Sequence, residues 1–408
     1  TVSMLHDVNV HTHDLIHLSN KGYNLVTLTH LNLPVPPAFI ITTEVFRCRD
    51  IIHGFSKARE EFMRRMRTAL TRLQGLTGKV FGDSENPLLL SVRSGAALSM
   101  PGMMATIHNI GLNDELVEAY VKNHGHGYLA WDNYRRFVQS WAMISGVDRD
   151  KFQELMDDAK QRHDVQFKWK FSPAQMRELA LDYQKLVRRQ GITIPDDPWL
   201  QLAHAVEMVL DSWNATKAVD YREIMDLSDS WGTAVIVQSM VFGNKSSQSG
   251  SGVLFTAHPY RKVRRVALWG DYAYGDQGED IVAGLVTSYP VSVEQAQIDG
   301  RSVDKSLEKS FPDIYNELLR IARELVYEER WNPQEIEFTF EGPAATDLYL
   351  LQTRDMITIK KQEQFDVFVA SQALEAGGLG KGIGVSGSAL CFPKVISVNY
   401  DGRTRICP

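Results

Sequence analysis

Apolar positions recur at helical spacing over the first half of the chain and at strand spacing after Asp229, which predicts a mixed α/β protein. Leu25, Leu28 and Leu31 lie near one face of a helix from Lys21 to Leu31. Pro34-Val35-Pro36-Pro37 must be extended, and residues 38–43 read as a short strand. Phe62, Met66, Leu70 and Leu73 form an apolar stripe on a helix from Phe55 to Leu76, with Arg and Glu on the other face. Leu88–Val92 reads as a buried strand. Asn113 caps a helix that carries Asp114 and Glu115 in its first turn and ends near Gly125. Residues 128–190 look all-helical. Ser172-Pro173-Ala174-Gln175 is a capping box, followed by a buried face of Met176, Leu179, Tyr183 and Leu186 and a stop at Gly191. Trp199–Trp213 is another helix.

The later part predicts strands at Ala234–Val241, Gly252–Thr256 and Arg265–Trp269, then an amphipathic helix from Phe311 to Glu329. Ile336–Phe340 and Leu348–Gln352 would pair as a hairpin through Glu341–Asp347. The texture after Arg354 is linker-like to Glu375, and a Gly-rich segment runs from Gly377 to Gly387.

A length of 408 residues predicts two to three domains, and 44% hydrophobic with 23% charged positions excludes a disulfide-stapled mini-protein or a disordered tail. Acidic residues outnumber basic ones by 50 to 44, a poor balance for a nucleic-acid backbone binder. Cys48, Cys391 and Cys407 form no C-x-x-C pair, so a reducing compartment and no structural zinc are expected. No apolar run approaches the roughly 20 residues that span a bilayer. The chain starts at Thr1-Val2-Ser3, without Met or a signal pattern, and stops at Ile406-Cys407-Pro408. It reads as a processed piece or part of something longer, cytoplasmic or organellar.

The most unusual stretch is Ser91-Val92-Arg93-Ser94-Gly95-Ala96-Ala97-Leu98-Ser99-Met100-Pro101-Gly102-Met103-Met104-Ala105-Thr106. Gly lets backbone N–H groups turn toward an anion, Ser and Thr add hydroxyls, and Arg93 adds a fixed charge. Such a loop is either a polyphosphate cradle or a surface loop with a buried Met pair. Glu335 and Glu337, two apart in a strand, share a face. They are either a solvated strand face or a seat for a hard cation such as Mg²⁺ bridging to phosphate. Gln352 and Arg354 end the paired strand beside them. Lys21 at a helix start opposes the macrodipole unless it is solvated or faces an anion. In Asp276-Gln277-Gly278-Glu279-Asp280 the acids read first as dipole compensation at a helix start. His11 and His13 read as a polar chain end, and His108 and His258 as solvated or packed near the cleft.

Together these residues resemble the nucleotide-binding part of the pyruvate phosphate dikinase family. The family phrase V-R-S-G-A-x-x-S-M-P-G-M-M-x-T matches residues 92–106 position by position. The match continues through Asn109–Asn113, Pro34–Pro37, Tyr134–Phe137, Trp231–Val235, Met240–Asn244, Gln277–Gly284 and Leu350–Arg354, and spans about residues 18–392. The resemblance implies an ATP-grasp-like fold: residues 1–112 with 199–240 as one lobe, 113–198 as a helical insertion and 241–356 as the second lobe. Residues 357–408 would lead to a phosphohistidine domain. ATP would give its βγ-pyrophosphoryl unit to a histidine on a separate swivelling domain; phosphate would take the terminal group, and the phosphohistidine would phosphorylate pyruvate.

Carried over residue by residue, Lys21 and Arg93 would hold phosphates with Gly102, Met103 and Thr106 in the loop. The strand Gln238–Val241, with Gln238, Met240 and Val241, would offer backbone groups to adenine. Glu335 and Glu337 would bind Mg²⁺, Gln352 and Arg354 would complete the transfer site, and Glu279 would assist. Lys21, Arg93 and Arg354 are the candidate catalytic residues. Mg²⁺ is the implied cofactor, with a monovalent cation as a further candidate; the implied partners are ATP, the histidine domain in cis or trans, pyruvate and phosphate, with a homo-oligomer left open and no nucleic acid or membrane.

The sequence departs from the family pattern at several positions. Ser19-Asn20 stands for Gly-Gly, Ala105 for Asp, Glu335 for Asp, Lys217 for Arg, and Ala257-His258-Pro259 for Arg-Asn-Pro. The family's Gly-Gly-Met-Thr-Ser-His phrase is not among the contexts of the 12 histidines. This chain alone is therefore expected to bind ATP without completing the reaction. Rival readings are a phosphoenolpyruvate synthase-like or other dikinase, a non-catalytic ATP-sensing module, and a scaffold with a dead cleft.

Overall fold

Alternating residues split each of two antiparallel sheets into a core face and a second face, and the second faces meet. The computed structural model describes all residues except 10–14, 99, 101, 260–264, 279–280, 282–285, 357–394, 399–403 and 408. The first sheet has the order β1 (Val2–Met4), β2 (Ala38–Ile41), β5 (Ala234–Ser239), β3 (Leu90–Gly95) and β4 (Thr106–Ile110). The second has the order β10 (Leu348–Asp355), β9 (Gln334–Phe340), β6 (Gly250–Phe255), β7 (Trp269–Tyr274) and β8 (Tyr289–Pro290). A separate hairpin pairs β11 (Val395–Val398) with β12 (Thr404–Cys407).

Leu90, Val92, Ile107, Val235 and Val237 point one way from the first sheet into a core shared with the helices of residues 114–211. Residues of the segment 113–198 thus share one core with the sheet. Its helices are Asp114–His124, Gly127–Ile144, Arg149–Arg162 and Pro173–Arg189. Asn113 and Ser172 cap their helices as predicted, the latter in a full capping box. The buried stripe of the Ser172-capped helix uses Val187, while Leu186 is half-buried.

The second sheet packs Leu254, Ile336, Phe338, Phe340, Leu348 and Leu350 against helix Pro312–Arg323, beyond which a five-residue π-helical turn runs to Glu328. Helix Leu15–His30 packs against both sheets. Its Leu18, Leu25 and Val26 pack on Ile40 and Ile236 of the first sheet, and its Leu28 packs with Leu254 and Leu350 of the second.

The strand predicted at Arg265–Trp269 is a correction: residues 265–268 are not in a strand, and β7 begins at Trp269. Val266 and Leu268 supply core contacts from outside the ladder. Gly270 lies within β7, where a Cβ would come within 2.2 Å of the Val253 carbonyl oxygen, so the ladder needs glycine there. The buried strand predicted at Leu88–Val92 runs instead from Leu90 to Gly95. His11, His13, Glu279 and the Gly-rich segment 377–387 lie outside the described residues. Among the described residues, no helix is long and apolar enough to cross a membrane.

Candidate functional site

A cavity of about 1220 Å³ lies between the facing sheets. Ser91, Arg93 and Gly95 on β3, Thr106 and His108 on β4, and Gln238 on β5 line one wall at period two. Ser251 and Val253 on β6, Glu337 and Thr339 on β9, and Gln352 and Arg354 on β10 line the other.

Arg93 joins the walls. Its Nη1 donates to Gln238 Oε1 at 3.1 Å and to the Leu351 carbonyl at 2.8 Å; its Nη2 donates to Gln352 Oε1 at 3.2 Å and Glu337 Oε2 at 3.4 Å. Only the planar fork of a guanidinium reaches four acceptors in this way. Burial pushes its pKa down, against the opposing pull of Glu337. A bulge in β10 between Leu350 and Gln352 turns the Leu351 carbonyl toward Arg93. Gln352 then pairs across from Glu337, and Arg354 across from Glu335.

Lys21 reaches the same cavity and donates to the Ser94 carbonyl at 3.1 Å. Its placement depends on Ser19, which interrupts helix Leu15–His30 at φ 68° and ψ 163°, backbone space that favours glycine. The Ser19 hydroxyl repays part of this strain by accepting from the Gly22 amide at 3.2 Å, capping the turn that carries Lys21. The Asn20 amide donates to the Ala96 carbonyl at 3.0 Å. Gly95 is required beside this turn, because a Cβ there would come within 2.1 Å of the Ser19 hydroxyl.

The glycine–methionine loop borders the cavity through Met100, Gly102, Met103 and Met104. Lys217 holds it by donating to the Gly102 carbonyl at 3.1 Å. His108 lines the cavity. His258 does not; its ring packs on Trp269 with centroids 4.1 Å apart.

Of the two glutamates, Glu337 lines the cavity, whereas Glu335 is held by Arg354 Nη2 at 2.5 Å and is not a lining residue. Two hard oxygen donors on one strand face suit Mg²⁺. Among the described residues no group of three or more His, Cys, Asp or Glu converges to hold a metal. A cation here would need phosphate or water oxygens as well, and would compete with the guanidiniums of Arg354 and Arg93 for the carboxylates.

Gln238, Met240 and Val241 all line the cavity. The expectation that Gln238 offers backbone groups needs correcting: β5 is central, its backbone at 238 lies between β2 and β3, and its contribution to the site is the side-chain amide on Arg93. The Met240 amide is likewise taken by the Leu89 carbonyl. Asp276 is buried and ion-paired with Lys168 at 2.8 Å.

The profile described as "Pyruvate phosphate dikinase, AMP/ATP-binding domain" matches residues 48–320. The chain belongs to that family. Curated pyruvate, phosphate dikinases from Clostridium symbiosum, Rhizobium meliloti and Entamoeba histolytica are 38%, 39% and 38% identical to it over 83% of its length. The chain spans 37%, 37% and 36% of those relatives. The matched range includes Arg93 and the glycine–methionine loop of this AMP/ATP-binding-domain member. Sequence reading missed the Leu351 carbonyl, because a bulge has no side-chain signature. It also missed Asn133 and Asn244, whose partners lie far away in sequence.

Proposed function

We propose that this chain is the nucleotide-binding part of a pyruvate phosphate dikinase, holding Mg·ATP between two ATP-grasp-like lobes and presenting it to a histidine on a separate domain. Residues 1–112 with 199–240 form the first lobe in this reading, 113–198 the helical insertion, and 241–356 the second lobe. The observation that carries the reading is the convergence of Lys21 and Arg93 from one wall with Glu337, Gln352 and Arg354 from the other on one cavity.

Phosphoryl-type transfer asks a protein mainly for positioning and charge neutralisation. Arg93 and Arg354 supply fixed positive charge for phosphate oxygens, Lys21 an ammonium that phosphate would favour, and Gln352 an amide beside them. The glycine–methionine loop and Thr106 flank the chain of phosphates, and Met240 and Val241 border the end suited to the base. Mg²⁺, held by Glu335 and Glu337, would neutralise phosphate charge. The histidine nitrogen attacks the β-phosphorus, the bond to the α-phosphate oxygen breaks, and AMP leaves. Phosphate then accepts the terminal phosphoryl group, and pyruvate the one left on histidine.

Calorimetric titration with Mg·ATP tests the reading. Binding is expected, and Arg93→Met is expected to weaken it at least about a hundredfold, the loss of two charge-assisted contacts. A wild-type chain that binds no Mg·ATP would sink the proposal. Tight binding without phosphorylation of a supplied histidine domain would favour the ATP-sensing module.

A further inference from the structure

A buried polar network away from Arg93 forms a second tie between the walls. Asp132 is fully buried; its oxygens accept from Arg135 and Arg136 on the same helix and from Asn244 Nδ2 at 3.0 Å. The neighbouring Asn133 Oδ1 accepts from Asn244 Nδ2 at 3.2 Å and from Gln277 Nε2 at 3.0 Å. Asn244 Oδ1 accepts a further bond from Gln277 Nε2 at 3.1 Å. Three amides thus close a triangle among helix Gly127–Ile144, the crossover from β5 to β6, and the turn after β7. Lys168 reinforces it through its ion pair with Asp276.

The helix end of the triangle belongs to the first core, through Trp131, Tyr134 and Phe137. The turn end continues directly from the second sheet. Backbone contact leaves no slack between crossover and turn: a Cβ at Gly243 would come within 2.5 Å of the Asp276 carbonyl oxygen, and the Gly275 amide donates to the Ser249 carbonyl at 2.8 Å. Buried amides are costly unless paired, so this triangle is favourable only when complete. Gln277 and Gly278 line the cavity, whereas Asn133 and Asn244 do not.

We propose that Asn133 and Asn244 are positioning residues that hold Gln277 and Gly278 over the bound nucleotide, setting the affinity of a cleft they do not touch. The proposal rests on the nucleotide reading above. It explains why polar side chains occupy a buried seam that apolar ones could fill: amide pairing fixes one relative position of the two walls, which apolar contact does not.

The test uses the whole chain with Asn133→Leu, which keeps the volume and removes the acceptor, and Gln277→Met, which removes the donors. Each is expected to weaken Mg·ATP binding about tenfold. The double variant is expected to be no weaker than the weaker single one, because both break the same tie. Unchanged affinity in Asn133→Leu, or losses that add in the double variant, would overturn the proposal. Should Asn133→Leu fail to fold, Gln277→Met carries the measurement, with wild-type affinity as the overturning result. Hydrogen exchange without ligand separates this idea from the nucleotide reading. Amides of residues 243–250 and 275–278 should exchange faster in either variant while β2, β3 and β5 keep their protection, and unchanged exchange overturns the tie even if the wild-type chain binds no nucleotide.

Discussion

Lys21 stands where desolvation and charge act together. Burial first, then the adjacent Arg93, push its pKa down from 10.5 to about 7; Glu337 opposes this and Arg354 adds to it. The unfolded chain keeps that proton up to about 10.5 and the folded chain only to about 7. The ammonium therefore costs stability in full below about 7, and the cost fades as pH rises through the unfolded value. A polyphosphate laid against Lys21 reverses the balance by favouring the charged form. Mg·ATP binding near pH 7.5 is thus expected to take up a fraction of a proton, read by calorimetry in buffers of different ionisation enthalpy. Lys21→Met should abolish that uptake and flatten the stability slope between about pH 7 and 10.5. Equal uptake in both proteins would show that Lys21 does not meet the phosphates.

At the scale of elements, the second sheet depends on glycines because aromatic rings occupy the space above its strands. A Cβ at Gly252 would come within 2.5 Å of the Phe338 ring, and one at Gly250 within 2.7 Å of Phe340. Gly252→Ala must therefore displace a fully buried ring, and about 1–3 kcal/mol of stability is expected to be lost in urea denaturation. A loss below about 0.5 kcal/mol would mean the ring shifts freely. The same crowding explains what was readable in the chain. Helix ends written by local chemistry, such as Asn113 and Ser172 with Gln175, were legible because a cap needs only near neighbours. Strand β7 was not, since Gly270 and Asp271 signal a turn until Phe255, Val253 and Leu254 are known to lie opposite. The glycine–methionine loop, the pair Glu335 and Glu337, and Gln352 with Arg354 stood out as phrases. The four acceptors of Arg93 did not, because one of them is a carbonyl exposed by a bulge 258 residues away.

Across the whole molecule, the two sheets have separate cores, and helix Leu15–His30 packs in that of the second and in a smaller cluster on the other face of the first. Asn24 Nδ2 on this helix donates to the Thr353 carbonyl at 2.8 Å, and the Pro34 carbonyl beyond it accepts from the Leu350 amide at 2.7 Å. The helix thus bonds to the very strand that carries Gln352 and Arg354. Ser19, Lys21, Asn24 and Leu28 set in sequence a strained turn, a cleft-facing charge, a bond to the second sheet and an anchor in its core. Unfolding of the second core would release Leu28 and Asn24, loosen the helix, and expose Leu25 and Val26 where they pack on the first sheet. The two sheets are therefore expected to melt in one calorimetric transition despite their distinct cores. Leu28→Ala weakens only the anchor in the second core, at a cost of about 2–4 kcal/mol. If the helix is the coupler, this variant should broaden or split the transition, with the second sheet losing amide protection first. Two well-separated transitions in the wild-type chain, or a Leu28→Ala transition that merely shifts without broadening, would place the coupling elsewhere: at the Arg93 fork or the amide triangle.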